Sequence, residues 1–532
     1  MAEKPRYRVR ATSRPMMASA AGPLDVSGHL SGGVAPEAGS YDAAGGSGRR
    51  SRAWRVGSFG PNAALTYALD ELRRKSRDQT RKNPHARSIV DRMVSNLVGT
   101  GIKPQSIARI DTTGMSKTKA KAADKRSEEF RASVASLFWD WVDEADSTGA
   151  HDFYGLQAIA ARGMVEGGET FVRLRSRRLS DGLVVPLQLQ VIEGDHCDHL
   201  KNDSANRIWQ GIQFDGKGAR TGYWLTRDHP GDAIVSGGVL NEAKVVPAED
   251  VCHLFRALRP GQQRGEPWLA PVLQALYDLQ NYLNAEQIRK NVATLIAGFI
   301  KRVGDGQNPV GSSDADGEGT GDLAWEPGTL QVLEDDEDIT WSNPPDSPTG
   351  FEQYVRVALR SIATGAGTLY EILSGDYGQL NDRTLRAALN DFRRSIEALQ
   401  HALLVFQLCR PVYRRFIDYA LLSGALKLPE GMTRRQAYAV KWTPQAFAYI
   451  HPVQDIEAKQ MKVRSGFSTR SAEVSADGQD AEAIDAENAA DNARADELGV
   501  SYDSDGRRSK TKSAGAADEP PTPAKQPAPA DD

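Results

Sequence analysis

SIATGAGTLYEILSGDYGQLNDRTLRAAL, Ser361 to Leu389, lies between two stretches with helical periodicity. Gly365 and Gly367 stop the first, and a longer helix starts near Asp382. A glycine-rich connection at a helix start can be a phosphate cradle, a lid or a hinge. A cradle needs backbone amides facing the phosphate, with a lysine and a Ser or Thr behind them. This loop carries Glu371 and Asp376 and no lysine, and no GxxxxGK[ST] occurs anywhere in the chain. An ATP-driven motor is therefore not expected.

On its C-terminal side the stretch runs into one very long helix, Asp382 to about Leu422. Its residues Leu385, Leu389, Phe392, Ile396, Leu399, Leu403 and Phe406 recur in steps of four and three, which is a packing seam. On its N-terminal side lie a helix over Phe351–Ile362, short strands at GTLQVL and ITWS, and a Gly/Asp-rich loop over Gly304–Gly321. A further long helix opens at Pro267 and keeps an apolar stripe from Leu269 to Phe299. Upstream, helices are predicted over Ala63–Ser76, Ala86–Val98, Ala132–Glu144 and Leu156–Glu166. Strands follow at ETFVRLRSR, PLQLQVIEG, GIQFD, GYWLTR and VCHLFR. The mixture predicts an α+β fold.

The ends differ from this body. Residues 1–60 are rich in Ala, Gly and Ser with scattered arginines, which predicts a flexible basic arm. Residues 471–532 are acidic and finish in PPTPAKQPAPADD (Pro520–Asp532), which predicts a disordered tail. The 532-residue chain is long enough to bury large cores without staples. Its three cysteines are far apart, as in a reducing cytosol. The N-terminal residues lack the apolar run of a signal peptide, and the longest apolar block, Val292–Ile300, is about half of what a bilayer crossing needs. No membrane partner is expected. The formal charge of −4 argues against a surface that grips nucleic acid all over.

Candidate chemistry is sparse. EGDHCDH, Glu193 to His199, is the densest set of metal-type ligands. A two-metal nuclease would use such carboxylates, with Asp195 and Asp198 foremost. All of them sit within one turn, without a second cluster at metal spacing, so a solvated turn is the expectation and no metal or cofactor is assigned. Glu166 and Glu169 read as a helix end feeding a strand rather than as an acid pair. Trp268 reads as an anchor of the helix start. The basic run Arg73–Arg87 offers candidate phosphate contacts in Arg73, Arg74, Arg77, Arg81 and Lys82, without the interleaved aromatics of a single-strand binder. No catalytic constellation emerges, and an assembly component fits better than an enzyme.

Several segments, in order, resemble one family. NPHARSIVDRMVSNLVGTGIKPQ (Asn83–Gln105), MVEGGETFVRLR (Met164–Arg175), PLQLQVIEGDH (Pro186–His196), HLFRALRPGQQRGEPWLAPVL (His253–Leu273) and YEILSGDYGQLNDRTLRAALNDFRR (Tyr370–Arg394) are similar to the portal proteins of lambda-like tailed phages. The resemblance runs from about residue 60 to about residue 470. It implies a homo-oligomeric ring, commonly of twelve subunits, at one capsid vertex of the virion, assembled in the host cytoplasm. Such a ring passes double-stranded DNA in packaging and ejection, and docks terminase, head–tail connector and capsid proteins. Carried onto this chain, it implies a wing at 61–265, a first stem helix at 266–302, a clip at 303–346 and a second stem helix at 347–363. A channel loop follows at 364–380, with Gly365, Gly367, Tyr370, Glu371, Asp376, Tyr377 and Gly378, then a long wing helix at 381–425 and a crown region at 426–470. The chain departs from the pattern in an acidic clip insertion, SSDADGEGTGD (Ser312–Asp322), and in the tail. A conduit must not hold DNA tightly, since each neutralised phosphate strengthens binding. The glycines would keep the loop compliant, and Glu371 and Asp376 would keep it from adhering.

Overall fold

The computed structural model describes residues 58–232, 242–294, 298–302, 337–341, 350–378, 381–447, 451–500 and 502. The expected basic arm before residue 58, most of the expected clip and the expected tail beyond Tyr502 lie outside them. The described residues from Pro61 to Tyr502 belong to one compact unit.

The chain enters through α1 (Pro61–Thr66), α2 (Leu69–Lys82) and α3 (Pro84–Val98). The break between α2 and α3 is chemical. Asn83 adopts an extended backbone, its side chain accepts from the amides of His85 and Ala86, and Pro84 opens the next helix. After β1 (Lys103–Ser106), α4 spans Lys117–Val142, far longer than the predicted Ala132–Glu144. Its first half is Lys- and Ala-rich and buries only small residues such as Ala123 and Ser127, so it shows no apolar stripe. Helix α5 (Phe153–Gly167) starts at the Asp152 cap and ends at Gly168.

Three antiparallel strands follow in the order β3-β2-β8: β2 is Glu169–Ser176, β3 Leu187–Glu193 and β8 Val251–Phe255. Between β3 and β8 the chain inserts a second antiparallel sheet of β4 (Ile208–Trp209), β5 (Ile212–Phe214), β6 (Arg220–Leu225) and β7 (Lys244–Pro247). This sheet closes a small core of its own with Phe171, Ile192, Tyr223 and Leu225. The α+β class predicted from the sequence is the observed one.

Helix α6 covers Leu273–Thr294 and packs on α7 (Phe351–Ala366). The expected first stem helix, 266–302, is thus shorter than its apolar stripe. Gly298–Arg302 is a strand, β9, paired antiparallel with β10 (Glu337–Trp341). A short apolar run flanked by glycine reads equally as helix or strand from periodicity. The ITWS strand falls on β10, and GTLQVL lies outside the described residues.

The connection 364–380 is only partly a loop. Helix α7 runs on to Ala366, Gly367 turns left-handed at φ +73°, and a short helix α8 (Tyr370–Ser374) forms before Gly375 turns left-handed again. The long rod then runs from Asp382 to Ser423: α9 (Asp382–Leu399), a π-helical stretch over Gln400–Cys409, and α10 (Arg410–Ser423). Its length was legible, but its looser middle winding was not. Within that stretch Gln407 hydrogen-bonds both the amide and the carbonyl of Phe255, continuing β8 with a side chain.

The principal core joins α3, α4, α5, α10 and the three-stranded sheet. Phe138, Trp141, Phe153, Tyr413 and Phe416 stack at its centre, and the Trp141 indole donates to the Leu187 carbonyl at 2.8 Å. Beyond it come α11 (Arg434–Ala437), β11 (Val440–Thr443) paired with β1, α12 (Pro452–Arg464), α13 (Arg470–Ala476) and α14 (Ala481–Leu498). Residues 471–498, expected to be disordered, therefore lie largely in two helices. Asp480 caps α14, and alanines with charges on every face give helix propensity without an apolar stripe. No helix among the described residues is long and apolar enough to cross a membrane.

Candidate functional site

Two places gather the residues singled out above: a buried ionic node at the root of α6, and the α7–α8 turn.

The node is built around Glu169, the first residue of β2. The positive φ of Gly168 (+90°) turns the chain sharply out of α5, and Gly265 passes so close that a Cβ there would meet the Gly168 carbonyl oxygen at 2.0 Å. Only two glycines allow this approach. It brings the 262–268 strand of chain, which leads into α6, against the start of β2. The Gly265 amide then donates to Glu169 Oε2 at 3.0 Å and the Arg264 Nε to Oε1 at 2.7 Å. Arg264 also donates to the carbonyls of Gln210, Gly194 and Cys197. Arg73 reaches the same carboxylate from α2 and donates to the Gly167 carbonyl. His253 Nε2 completes the set at 2.9 Å, while its Nδ1 lies 3.0 Å from Arg220.

Burial alone would push the Glu169 carboxyl up, but Arg264, Arg73 and His253 outweigh it and hold the group well below the usual carboxylate range. Burial lowers His253 to about 4, against the pull of Glu169. The imidazole is therefore neutral, with Nε2–H donating to Glu169 and Nδ1 accepting from Arg220. Every charge in the node is paired and hydrogen-bonded, and none faces solvent. It is a structural clamp tying α2, β2, β8 and the root of α6 together.

This corrects two phosphate candidates. Arg73 is 1% exposed and spent on Glu169. Arg77 clasps Asp195 with both terminal nitrogens, at 3.2 and 2.5 Å, and reaches Glu193 at 2.8 Å. Arg74 and Lys82 are exposed and pair along their own helix with Asp70 and Asp78, and Arg81 is exposed beside them.

The same geometry answers the EGDHCDH cluster. Glu193, Asp195 and His229 bring ligand atoms within 4.8 Å of one another, but Arg77 already supplies the cation there. Burial raises Asp195 and the Arg77 bonds more than reverse this, so its pKa is lowered. Asp198 stays apart in an exposed turn, accepting from the Leu200 amide. The two carboxylates that a two-metal site would need do not converge.

In the α7–α8 turn, the structure brings Tyr370 and Asp376 together and separates them from Tyr377. The Tyr370 hydroxyl donates to Asp376 Oδ2 at 3.1 Å, the Gly378 amide to Oδ1 at 3.2 Å, and Arg356 of α7 lies 3.4 Å from Oδ2. The Gly378 amide and the Tyr370 hydroxyl lower the Asp376 pKa. Asp376 thus ties the turn to α7 and does not stand out as a bare charge. Leu373 is 5% exposed, inside the principal core, and its carbonyl accepts from Ser88. Glu371 is half-buried, while Tyr377 and Gly378 are exposed at the tip. Gly365 serves packing: a Cβ there would meet Val272 Cγ1 at 2.5 Å, so it lets α7 close on the root of α6.

Sequence reading missed Arg264 and His253 as partners of Glu169. The available signals were the glycine pair Gly167-Gly168 and the Arg264-Gly265 step, since charged residues beside close-approach glycines mark a crowded backbone.

Residues 47–400 match the family model described as phage portal protein, lambda family. The probable portal protein of Halomonas phage phiHAP-1 is 24% identical over 74% of this chain and 75% of its own length. Portal protein B of Escherichia phage lambda is 22% identical over 84% of this chain and 88% of its own. Among solved structures, a chain in the virion of the native gene transfer agent particle superposes with a TM-score of 0.43 at 15% identity, covering 80% of this chain and 96% of that one. With two thirds of its length matched by the family model, the chain belongs to the lambda family of phage portal proteins, structural and non-enzymatic components of the capsid.

Proposed function

We propose that copies of this chain close into a ring, of twelve subunits, at one vertex of the capsid. The ring is the conduit through which double-stranded DNA is packaged and ejected. It docks terminase on the clip side and meets head–tail connector and capsid proteins elsewhere. It assembles in the host cytoplasm and stays in the virion.

One observation supports this reading most directly. Helices α6 and α7 already pack on each other, with Tyr282 stacked on Phe351 and tilted against Tyr354. Yet both keep large apolar groups exposed: Tyr277 and Ile288 on α6, Val357 on α7, and half of Tyr354 beside Tyr282. Among the described residues nothing covers these exposed parts. A head-to-tail contact that closes needs two different surfaces on each subunit, and a two-helix stem offers one per helix. The tip Gly375–Gly378, with Tyr377 outermost, is then the part of the α7–α8 turn that reaches the channel, and Glu371 is the acid that keeps it from adhering to DNA.

Electron microscopy of the purified protein tests this. Class averages should show closed particles with twelvefold symmetry and an opening that admits B-form duplex. Tyr354→Ser with Val357→Ser should lower the fraction of rings while leaving the subunit folded. Monomers alone, under every condition that favours assembly, would overturn the reading.

A further inference from the structure

Arginine recurs at every second position where β2 runs out of the second core: Arg173, Arg175 and, one residue past the strand, Arg177. Alternation puts Arg173 and Arg175 on the face of β2 that carries Phe171, which is buried in that core. The Arg177 amide still bonds the Pro186 carbonyl, so the same spacing extends to it. The register sets Gln190 beside Arg173 and Gln188 beside Arg175, and β3 thus adds amides and no charge to the row. Arg173 and Arg175 are half-buried. Arg177 is exposed, with its Nε donating to Gln188 Oε1 at 2.7 Å.

Pairing sets this row apart. Other half-buried arginines, such as Arg77, Arg356 and Arg415, are each matched with a carboxylate. Among the described residues no carboxylate pairs with Arg173 or Arg175, and neither guanidinium makes a hydrogen bond. Asp250, whose charge reaches Arg173, is bonded to Arg415 at 2.9 Å. Burial lowers the Arg173 pKa, and the Arg175 charge beside it lowers it further. Two like charges held together without a counter-ion cost the fold stability, and an anion that binds both recovers it. Side chains two apart on a strand stand about 6.7 Å from each other. A row of guanidiniums at fixed spacing suits an anion that repeats, and guanidinium grips phosphate oxygens in pairs. Each strand of a DNA duplex is such an anion: successive phosphates advance about 3.4 Å along the axis and also turn about it, which sets them further apart than that. No aromatic is interleaved with the arginines, so the contact is to backbone and not to bases.

We propose that the face carrying Arg173, Arg175 and Arg177 is a contact surface for the phosphate backbone of double-stranded DNA, blind to sequence and sensitive to salt. It is separate from the α7–α8 turn, and one subunit carries it whole, so it stands apart from ring closure.

Titrating a labelled duplex with the full chain, and reading fluorescence anisotropy at several salt concentrations, tests it. Each phosphate contact contributes about 0.9 to the slope of log affinity against log salt. Arg173→Gln with Arg175→Gln should therefore flatten the slope by about 1.8. Going from about 50 to about 200 mM salt should then cost the variant about twelvefold less affinity than it costs the unaltered chain. The loss should be alike for duplexes of unrelated sequence. Arg177→Gln changes an exposed side chain, leaves the fold alone and should flatten the slope by about 0.9. Arg74→Gln with Lys82→Gln removes charges already paired along α2 and should leave the slope as it is. An unchanged slope in both the double variant and Arg177→Gln, or no duplex binding at low salt, would overturn the proposal. So would unchanged duplex binding with a loss of polyglutamate binding, which would assign the face to an acidic protein.

Discussion

Replacing Glu169 with glutamine keeps the shape of the side chain and removes the carboxylate that Arg73 and Arg264, both of them buried, share. Deleting one partner of a buried ion pair costs about 3–5 kcal/mol, because the other charge is stranded. Here two guanidiniums lose their counter-charge, and the amide group that replaces one oxygen turns a donor towards donors already aimed at it, so we place Glu169→Gln at about 5 kcal/mol. That compares with about 5–15 kcal/mol for the whole stability of a typical domain. Urea unfolding followed by tryptophan fluorescence reads it as a large drop in midpoint at unchanged slope. Glu166→Gln, three residues earlier and paired with Arg162 at 3.5 Å near the surface, is the control and should cost under about 1 kcal/mol. Arg264→Met combined with Glu169→Gln should cost less than the sum of the two by about 1–3 kcal/mol, the signature of a shared network. A loss below about 1 kcal/mol for Glu169→Gln, or strict additivity in the double variant, would refute the clamp.

Other expectations follow from the same geometry. His253 is neutral in the fold with its pKa lowered to about 4, whereas the unfolded chain takes up the proton near 6.5. Stability should therefore fall as pH drops from about 6.5 towards 4, by about 3 kcal/mol, and His253→Gln should flatten that part of the curve of unfolding midpoint against pH. Leu373→Ala should destabilise by about 2–5 kcal/mol through a core cavity. Tyr377→Ala, at the exposed tip, should leave the unfolding midpoint within about 0.5 kcal/mol and alter only DNA retention in assembled particles. Gly365→Val should disrupt the seating of α7 on the root of α6, seen as faster hydrogen exchange in both helices, because its Cβ would overlap Val272.

What the sequence could and could not say follows from where each signal sits. Helices with a cap and an apolar face, such as α3 behind Asn83-Pro84, were legible from local chemistry. The alternation in Leu187, Leu189 and Val191 located β3. The first half of α4 and all of α14 were missed because they bury little, so composition resembled a solvated segment. The Glu169 clamp was hidden for another reason. Its members come from positions 73, 169, 253 and 264, and only the crossing of Gly168 with Gly265 brings them together. The α7–α8 turn read as a compliant loop because glycines dominate it, while Leu373, with Leu369, Tyr370 and Ile372 packed beside it, fixes its middle to the core.

The π-wound stretch Gln400–Cys409 gives the rod a kind of slack. In an ordinary α-helix, losing one residue swings everything beyond it by about 100°. Residues wound with i→i+5 bonds include a surplus that can be shed or gained while Phe392 at one end and Phe416 at the other keep facing their neighbours. The shaft between the α8 turn and the far core can thus change length by a residue without re-aiming either end.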